Sequence, residues 1–190
     1  MQVRAFGLSY GPMTPIRAPL RIAIGGRMQV GKTTAADRLV ARHGFVKYAL
    51  AAPIKEIARG GFGWDDGKDA RGRRLLQEIG TVGRHYDRDM WLDRFAAALA
   101  ADDPPRAVVD DLRLAREAEY LRQLGFVCVL VVRPEALAPA LPEDRGTADH
   151  ETETEIGALG PDAVIDNSGS FGELYARLDR LVAGLEAVRT

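Results

Sequence analysis

Residues 20–44 read LRIAIGGRMQVGKTTAADRLVARHG, and this segment carries the strongest structural signal in the chain. Its first six residues form a short apolar run that ends in glycine, which predicts a buried parallel strand. From Lys32 to His43 the apolar residues recur at helical spacing, and Gly44 follows as a C-cap signal. Between strand and helix lies GRMQVGKT, residues 26–33, which satisfies the complete GxxxxGK[ST] pattern at the junction where that pattern is expected.

The loop between the predicted strand and helix has the composition of a phosphate-binding loop. Glycines at 26 and 31 let the backbone curl so that successive N–H groups face phosphate oxygens, and the start of the helix adds positive dipole charge. We expect Lys32 to bridge the β- and γ-phosphates of ATP and the Thr33 hydroxyl to ligate Mg²⁺. The ATP-binding residues predicted here are Gly26, Arg27, Met28, Gln29, Val30, Gly31, Lys32, Thr33 and Thr34.

An acid at the end of a neighbouring strand is expected to complete the magnesium shell of such a loop. The sequence VVDD, residues 108–111, supplies Asp110 and Asp111 at the end of a predicted strand. Strand alternation sends the two side chains to opposite faces, so only one of them can point at the loop. Spacing alone does not decide which one.

Strands and helices alternate along the rest of the chain. Further strands are predicted at 45–48, 106–110, 126–132 and 163–165, and helices at 54–59, 73–79, 91–101, 114–124 and 170–188. This order predicts an α/β fold of the three-layer P-loop NTPase type with a mainly parallel sheet. Residues 1–19 are predicted to be a flexible tail and 20–190 a single domain. Within that domain, 53–101 form a helical insert and the proline-containing, acid-rich segment 133–155 forms a lid.

Composition excludes several classes of protein. The 26 Lys and Arg residues nearly balance 27 Asp and Glu, and this balance argues against nucleic-acid and membrane-surface binding. Cys128 is the single cysteine and the three histidines are widely spaced, so neither a disulfide nor a zinc site is expected. No apolar run resembles a signal peptide or a membrane span. We therefore expect a cytoplasmic protein.

Arginines occur where a second phosphate site would need them. Their planar guanidinium groups suit doubly charged phosphate, and groups from several elements must converge to form such a site. Three bracket the sequence LLQEIGT in the insert and three follow the later strands: Arg73, Arg74, Arg84, Arg113, Arg133 and Arg145.

The order of segments over residues 22–178 resembles the deoxynucleoside monophosphate kinase family best known from bacteriophages. ALAAPIKEIA at 49–58 is similar to its aromatic-Ala-x-x-Pro-hydrophobic-Lys segment, and LLQEIGTVGR at 75–84 to its Leu-Gln-x-x-Gly-Thr-x-x-Arg block. DLRLAREA at 111–118 resembles the signature Asp-hydrophobic-Arg-x-x-x-Glu-Ala. HETE at 150–153 and DNSGS at 166–170 resemble the lid motif and the Asn-x-Gly block before the last helix.

The resemblance implies transfer of the ATP γ-phosphoryl group, with Mg²⁺, to a nucleoside monophosphate, most simply a deoxynucleotide. It favours Asp111 over Asp110 as the acid that serves the metal beside Thr33, adds Asn167 to the ATP site, and is compatible with a homodimer. The implied catalytic residues are Lys32, Arg113, Arg133, Arg145 and His150. The implied substrate-binding residues are Lys55, Arg74, Gln77, Thr81, Arg84, Trp91, Asp111 and Arg113.

Two other classes of function fit the phosphate-binding loop. One is a P-loop kinase for another small phosphorylated acceptor, such as dephospho-coenzyme A or phosphomevalonate, which substrate screening would separate. The other is an ATPase or GTPase switch, whose product is a conformational change. A GTPase should carry an Asn-Lys-x-Asp block, which this sequence lacks, and an ATPase would hydrolyse ATP without an acceptor.

Overall fold

The computed structural model describes residues 18–67, 69–134 and 159–189. Five strands and six helices follow one another in the described residues. They are β1 (Leu20–Gly25), α1 (Lys32–His43), β2 (Val46–Tyr48), α2 (Ala52–Phe62), α3 (Ala70–Tyr86), α4 (Met90–Asp102), β3 (Arg106–Leu112), α5 (Ala115–Gln123), β4 (Phe126–Val132), β5 (Ala163–Asp166) and α6 (Phe171–Ala187). The three helices between β2 and β3 are all longer than the sequence predicted.

The five strands form one parallel sheet in the order β2-β3-β1-β4-β5. β1 lies in the middle, and its residues Ile22, Ala23 and Ile24 are fully buried, as expected for a strand covered on both faces. The predicted α/β fold with a parallel sheet is therefore confirmed. Because all strands run in one direction, their carboxyl ends share one edge of the sheet, and the loop after β1 lies in the middle of that edge.

Helices cover both faces of the sheet, which gives the three predicted layers. On one face α1 and α6 bury Leu39, Leu174 and Leu178 against β1, β3 and β4. On the other face α4 and α5 bury the side chains of Leu92, Phe95, Leu99, Ala118 and Leu121. Cys128 belongs to this second core cluster, and burial raises the pKa of its thiol to about 11. The cysteine therefore packs as a small apolar residue.

In the described part of the chain, no helix combines the length and the apolar character that crossing a bilayer requires.

Candidate active site

The loop between β1 and α1 has a backbone that only glycine permits at two points. Gly26 has φ 143° and Gly31 has φ 100°. A Cβ added at Gly26 would lie 2.4 Å from the carbonyl oxygen of Val131, and one at Gly31 would lie 2.5 Å from Nδ2 of Asn167. Both distances are far below van der Waals contact, so any side chain would displace the neighbouring element. The loop is thereby curled tightly against β4 and the end of β5.

Asn167, which directly follows β5, is hydrogen-bonded to the backbone of this loop. Its backbone N–H donates to the carbonyl oxygen of Val132 at 2.7 Å, and its side-chain Nδ2 donates to the carbonyl oxygen of Val30 at 2.8 Å. It is a buried polar side chain, 6% exposed. The family resemblance adds Asn167 to the predicted ATP site, and the structure shows that its side chain contacts the backbone of the loop.

Lys32 lies across the mouth of the loop. Its Nζ donates to the carbonyl oxygens of Gly26 and Arg27, each at 2.7 Å. Thr33 follows in the first turn of α1, with an exposed side chain, and Thr34 is half-buried. The free N–H groups of this first turn give the helix start its partial positive charge. The ammonium group of Lys32, the hydroxyl of Thr33 and the N-terminus of α1 therefore lie together at the carboxyl end of β1.

Asp110 and Asp111 face opposite sides of the sheet, as strand alternation predicts. The pairing of β3 with β1 contains a bulge, because Ala23 pairs with Val109 while Gly25 pairs with Leu112. The Asp110 Oδ2 lies 2.8 Å from Nζ of Lys47, whose other partner is Asp37 on α1. Asp110 is therefore on the α1 side.

Asp111 lies on the other face, towards α2. Its Oδ1 accepts a hydrogen bond from the N–H of Leu50 at 2.9 Å, and its Oδ2 accepts one from the N–H of Ala51 at 3.1 Å. Burial raises the pKa of this carboxyl, and the two backbone N–H groups partly offset that shift. Its predicted part in magnesium binding stays a prediction, and the contacts show that it anchors the start of α2.

A cavity of about 730 Å³ opens between α2, α3, α4 and the start of α5. It gathers most of the residues that the sequence assigned to the acceptor. The structure brings together Lys55, Gln77, Arg84, Trp91, Asp111 and Arg113 in its wall. Ile54, Leu76 and Leu92 add apolar surface, so the cavity offers both charge and an apolar wall.

Two of the predicted acceptor residues do not line this cavity. Arg74 donates from Nε to Oε1 of Glu78 at 2.8 Å on the exposed side of α3, and it borders a separate hollow beside Trp64. The Oγ1 of Thr81 accepts a long hydrogen bond of 3.4 Å from Arg84. Thr81 therefore touches a cavity residue without lining the cavity.

Arg88 and Glu117 also line the cavity, although neither is among the predicted site residues; Glu117 is the glutamate of the signature at 111–118. Arg88 lies in the turn between α3, which ends at Tyr86, and α4, which begins at Met90, so no helical spacing relates it to Arg84. Within the described residues, the guanidinium groups of Arg88 and Arg113 form no hydrogen bond or salt bridge. Two cations of the wall thus have donors free for an anion.

Trp91 is a rigid wall of the cavity. It is 7% exposed, and its Nε1 donates to the carbonyl oxygen of Gly80 at 2.9 Å. The ring packs directly on Gly83, where an added Cβ would lie 2.2 Å from Cζ2 of the indole. Because its only donor is already bound, Trp91 offers the cavity an apolar surface.

The segment predicted as a lid is described only at its start. Arg133 directly follows β4 beside the phosphate-binding loop, and its Nε is buried without a hydrogen-bond partner. The Nε of Arg21, at the other end of the sheet, is in the same condition, so this feature alone does not indicate a ligand. Arg145 and His150 lie outside the described residues.

The fold and these two adjoining sites define a P-loop nucleotide-binding protein with a second, cationic cavity. A model of the family "Deoxynucleotide monophosphate kinase" matches residues 65–178, well over half of the chain. The chain belongs to the deoxynucleotide monophosphate kinase family, as its sequence motifs indicate. A deoxynucleotide monophosphate kinase of Escherichia phage RB69 is 32% identical over 115 residues, which are 58% of this chain and 44% of that relative. The chain spans less than half the length of the curated phage relatives it matches.

Solved structures show the same fold at low sequence identity. A Thermus thermophilus protein has a TM-score of 0.55 and 18% identity, with 89% of this chain and 99% of that chain covered. The shikimate kinase of Aquifex aeolicus has a TM-score of 0.50 and 15% identity, with 88% and 98% covered. These likenesses establish the α/β architecture and no more than that.

Proposed function

We propose that this chain transfers the γ-phosphoryl group of ATP to a nucleoside monophosphate, with deoxynucleotides as the preferred acceptors. The observation that carries the proposal is the cationic cavity beside the phosphate-binding loop, whose Arg88 and Arg113 have free donors. Membership of the deoxynucleotide monophosphate kinase family supports the same conclusion. ATP would occupy the loop and the acceptor would occupy the cavity.

The donor side fits a magnesium nucleotide. Thr33 and the acids at the end of β3 are oxygen donors, which Mg²⁺ prefers. In the described residues, no group of three or more His, Cys, Asp or Glu side chains is placed to hold a metal ion. A metal would therefore take most of its ligands from water and phosphate, as Mg²⁺ usually does. Bound there, Mg²⁺ would neutralise charge on the phosphoryl oxygens.

Lys32 would exchange its two carbonyl contacts for phosphate oxygens when ATP binds, and its charge would follow the transferred group. A phosphate oxygen of the acceptor forms the new bond to the γ-phosphorus, and the bond to the bridging oxygen breaks to release ADP. The acceptor is already ionised at neutral pH, so no general base is needed. Positioning and charge neutralisation then supply the rate enhancement.

Several roles in this proposal rest on the family resemblance. Arg133, Arg145 and His150 would close over the phosphates with the segment 133–155, and closure would exclude water from the transferred group. The position of Arg133 directly after β4, beside the phosphate-binding loop, supports its share of that role. Asp111 would serve the metal as well as the acceptor side.

The test is product analysis with a panel of acceptors. The protein is incubated with ATP, Mg²⁺ and each deoxy- or ribonucleoside monophosphate, and the diphosphates are resolved by chromatography. Dephospho-coenzyme A, phosphomevalonate and buffer alone complete the panel. We expect a nucleoside diphosphate and ADP in equal amounts. Equal ADP release with and without any acceptor would replace the proposal with an ATPase.

The acceptor cavity has its own test in Arg84→Ala and Arg113→Ala. Each should raise the acceptor KM about tenfold or more while the ATP KM changes little, because each removes a cation from the wall of the cavity. Arg74→Ala is the matched control on α3, since Arg74 lies outside that wall. A rise in KM for Arg74→Ala equal to that for Arg84→Ala would show that the acceptor lies elsewhere.

A further inference from the structure

Glu117 is a largely buried carboxylate at the start of α5 that the proposed mechanism does not use. Its Oε2 accepts hydrogen bonds from the backbone N–H of Arg113 at 2.8 Å and of Leu114 at 3.0 Å. These two residues connect the end of β3 to α5 at the wall of the acceptor cavity. A single oxygen atom thus fixes the orientation of two successive peptide groups.

The direction of the Arg113 side chain depends on this anchored backbone. In the part of the chain that the structure describes, its guanidinium has no hydrogen bond or salt bridge to hold it. The preceding strand end is tied to α2 by Asp111, and the following turn is tied to α5 by Glu117. The backbone from which the Arg113 side chain projects is therefore held by hydrogen bonds on both sides.

A second helix of this protein carries the same capping device in another setting. At the start of α6, Oε2 of Glu173 accepts a hydrogen bond from the backbone N–H of Ser170 at 2.7 Å. Glu173 is exposed, and the hydrogen bonds from Ser170 lower its pKa. Burial instead raises the pKa of Glu117. The two caps differ in place as well, because Glu117 lies in the wall of the acceptor cavity and also accepts a hydrogen bond from the N–H of Arg113, which precedes the helix.

We propose that Glu117 is a positioning residue of the acceptor site: it holds the backbone of Arg113 so that the guanidinium projects into the cavity. The inference rests on the proposed function, since the group it positions is the one that would meet the acceptor phosphate. Loss of the anchor lets the turn relax and spreads the guanidinium over several positions.

The experiment compares Glu117→Ala, Glu117→Gln and Glu173→Ala. Glu117→Ala should raise the acceptor KM about tenfold, with the ATP KM within about twofold of the wild type. Glu117→Gln should have an acceptor KM within about threefold of the wild type, because one amide oxygen can accept hydrogen bonds from both N–H groups. Glu173→Ala should remove a helix cap of the same kind and leave the acceptor KM unchanged. If Glu117→Ala does not fold, Glu117→Asp carries the same expectation, since its shorter side chain cannot reach both groups.

Calorimetry measures the affinity of the same proteins for a deoxynucleoside monophosphate, and this affinity should fall in the variants whose acceptor KM rises. An acceptor KM unchanged in Glu117→Ala, or raised equally in Glu173→Ala, would overturn the inference. A loss in Glu117→Gln equal to that in Glu117→Ala would overturn it too, because charge would then matter instead of the backbone anchor. A wild type that binds no monophosphate and forms no diphosphate would overturn the proposed function, and this inference with it.

Discussion

Replacing Gly83 by alanine should loosen the wall of the acceptor cavity. The new Cβ would lie 2.2 Å from Cζ2 and 2.4 Å from Cε2 of Trp91. The ring or α3 must move by about 1.2 Å to restore ordinary contact. Trp91 cannot turn away freely, because it is buried and its Nε1 is bound to the carbonyl oxygen of Gly80.

The expected loss in the free energy of unfolding is the sum of two unfavourable contributions and one favourable contribution. Overpacking costs about 1–3 kcal/mol, and disturbing the buried hydrogen bond of Trp91 adds about 1 kcal/mol. Alanine in a helix interior regains about 1 kcal/mol relative to glycine. Gly83→Ala should thus lose about 2 kcal/mol in the free energy of unfolding. Because Gly80, Arg84 and Trp91 all line the cavity, the acceptor KM should rise as well.

The assay is urea unfolding of Gly83→Ala beside Gly184→Ala, a helical glycine on α6 with no atom within 4 Å of an added Cβ. Gly184→Ala should be neutral or more stable by up to about 1 kcal/mol. Combining Gly83→Ala with Trp91→Phe should reduce the cost of the alanine, because the smaller ring leaves room for it. If Gly83→Ala is as stable as Gly184→Ala, the packing argument is wrong.

Three further outcomes are expected. Lys32→Ala should lower kcat by about 100-fold or more in a folded protein, because its charge follows the transferred group; turnover within a few-fold of the wild type would refute this. Asp111→Asn should reduce magnesium-dependent turnover more than Asp110→Asn, and the reverse ranking would give the metal role to Asp110. Hydrogen bonds from Arg38 and His43 lower the pKa of Asp179 from 3.8 to about 2. That contribution is present above pH 3.8 and is lost as the pH falls towards 2. The side chain of Asp179 is 35% exposed, so the difference in unfolding free energy between wild type and Asp179→Asn should be less than about 1 kcal/mol at pH 7 and should shrink in acid.

The phosphate-binding loop could be predicted because its chemistry is contiguous in the sequence. Residues 26–33 supply the turn, the cation and the hydroxyl together, and the flanking apolar run identifies β1. β3 and β4 could be predicted because a strand buried on both faces is apolar at successive positions, whereas β2 and β5 at the sheet edges are mostly exposed.

The length of α3 was underestimated because glycines form its buried face. Gly72, Gly80 and Gly83 are its buried residues, and a periodicity of large apolar side chains does not register them. Its start depends on Asp69, whose side chain accepts a hydrogen bond from the N–H of Gly72. In its last turns the helix packs Gly83 against the ring of Trp91, a contact that the sequence does not reveal.

The sequence motifs do not show which of the predicted acceptor residues line the cavity, because that depends on the face of the helix on which each residue lies. Gln77 and Arg84 are about two helical turns apart and share a face of α3. Arg74 lies about 80° around the helix from Arg84, which takes it to the exposed side. The signature at 111–118 includes Glu117, but a motif does not show that its side chain binds the backbone N–H groups of Arg113 and Leu114.

The central claim is that donor and acceptor occupy separate, adjoining sites, the loop of residues 26–33 and the cavity walled by α2 to α5. A bisubstrate analogue that joins adenosine to a deoxynucleoside through a polyphosphate chain tests it most directly. We expect one molecule bound per chain by calorimetry, inhibition competitive with both ATP and the monophosphate, and weaker binding in both Lys32→Ala and Arg113→Ala. Competition with ATP alone, with no effect of Arg113→Ala, would contradict the two-site account.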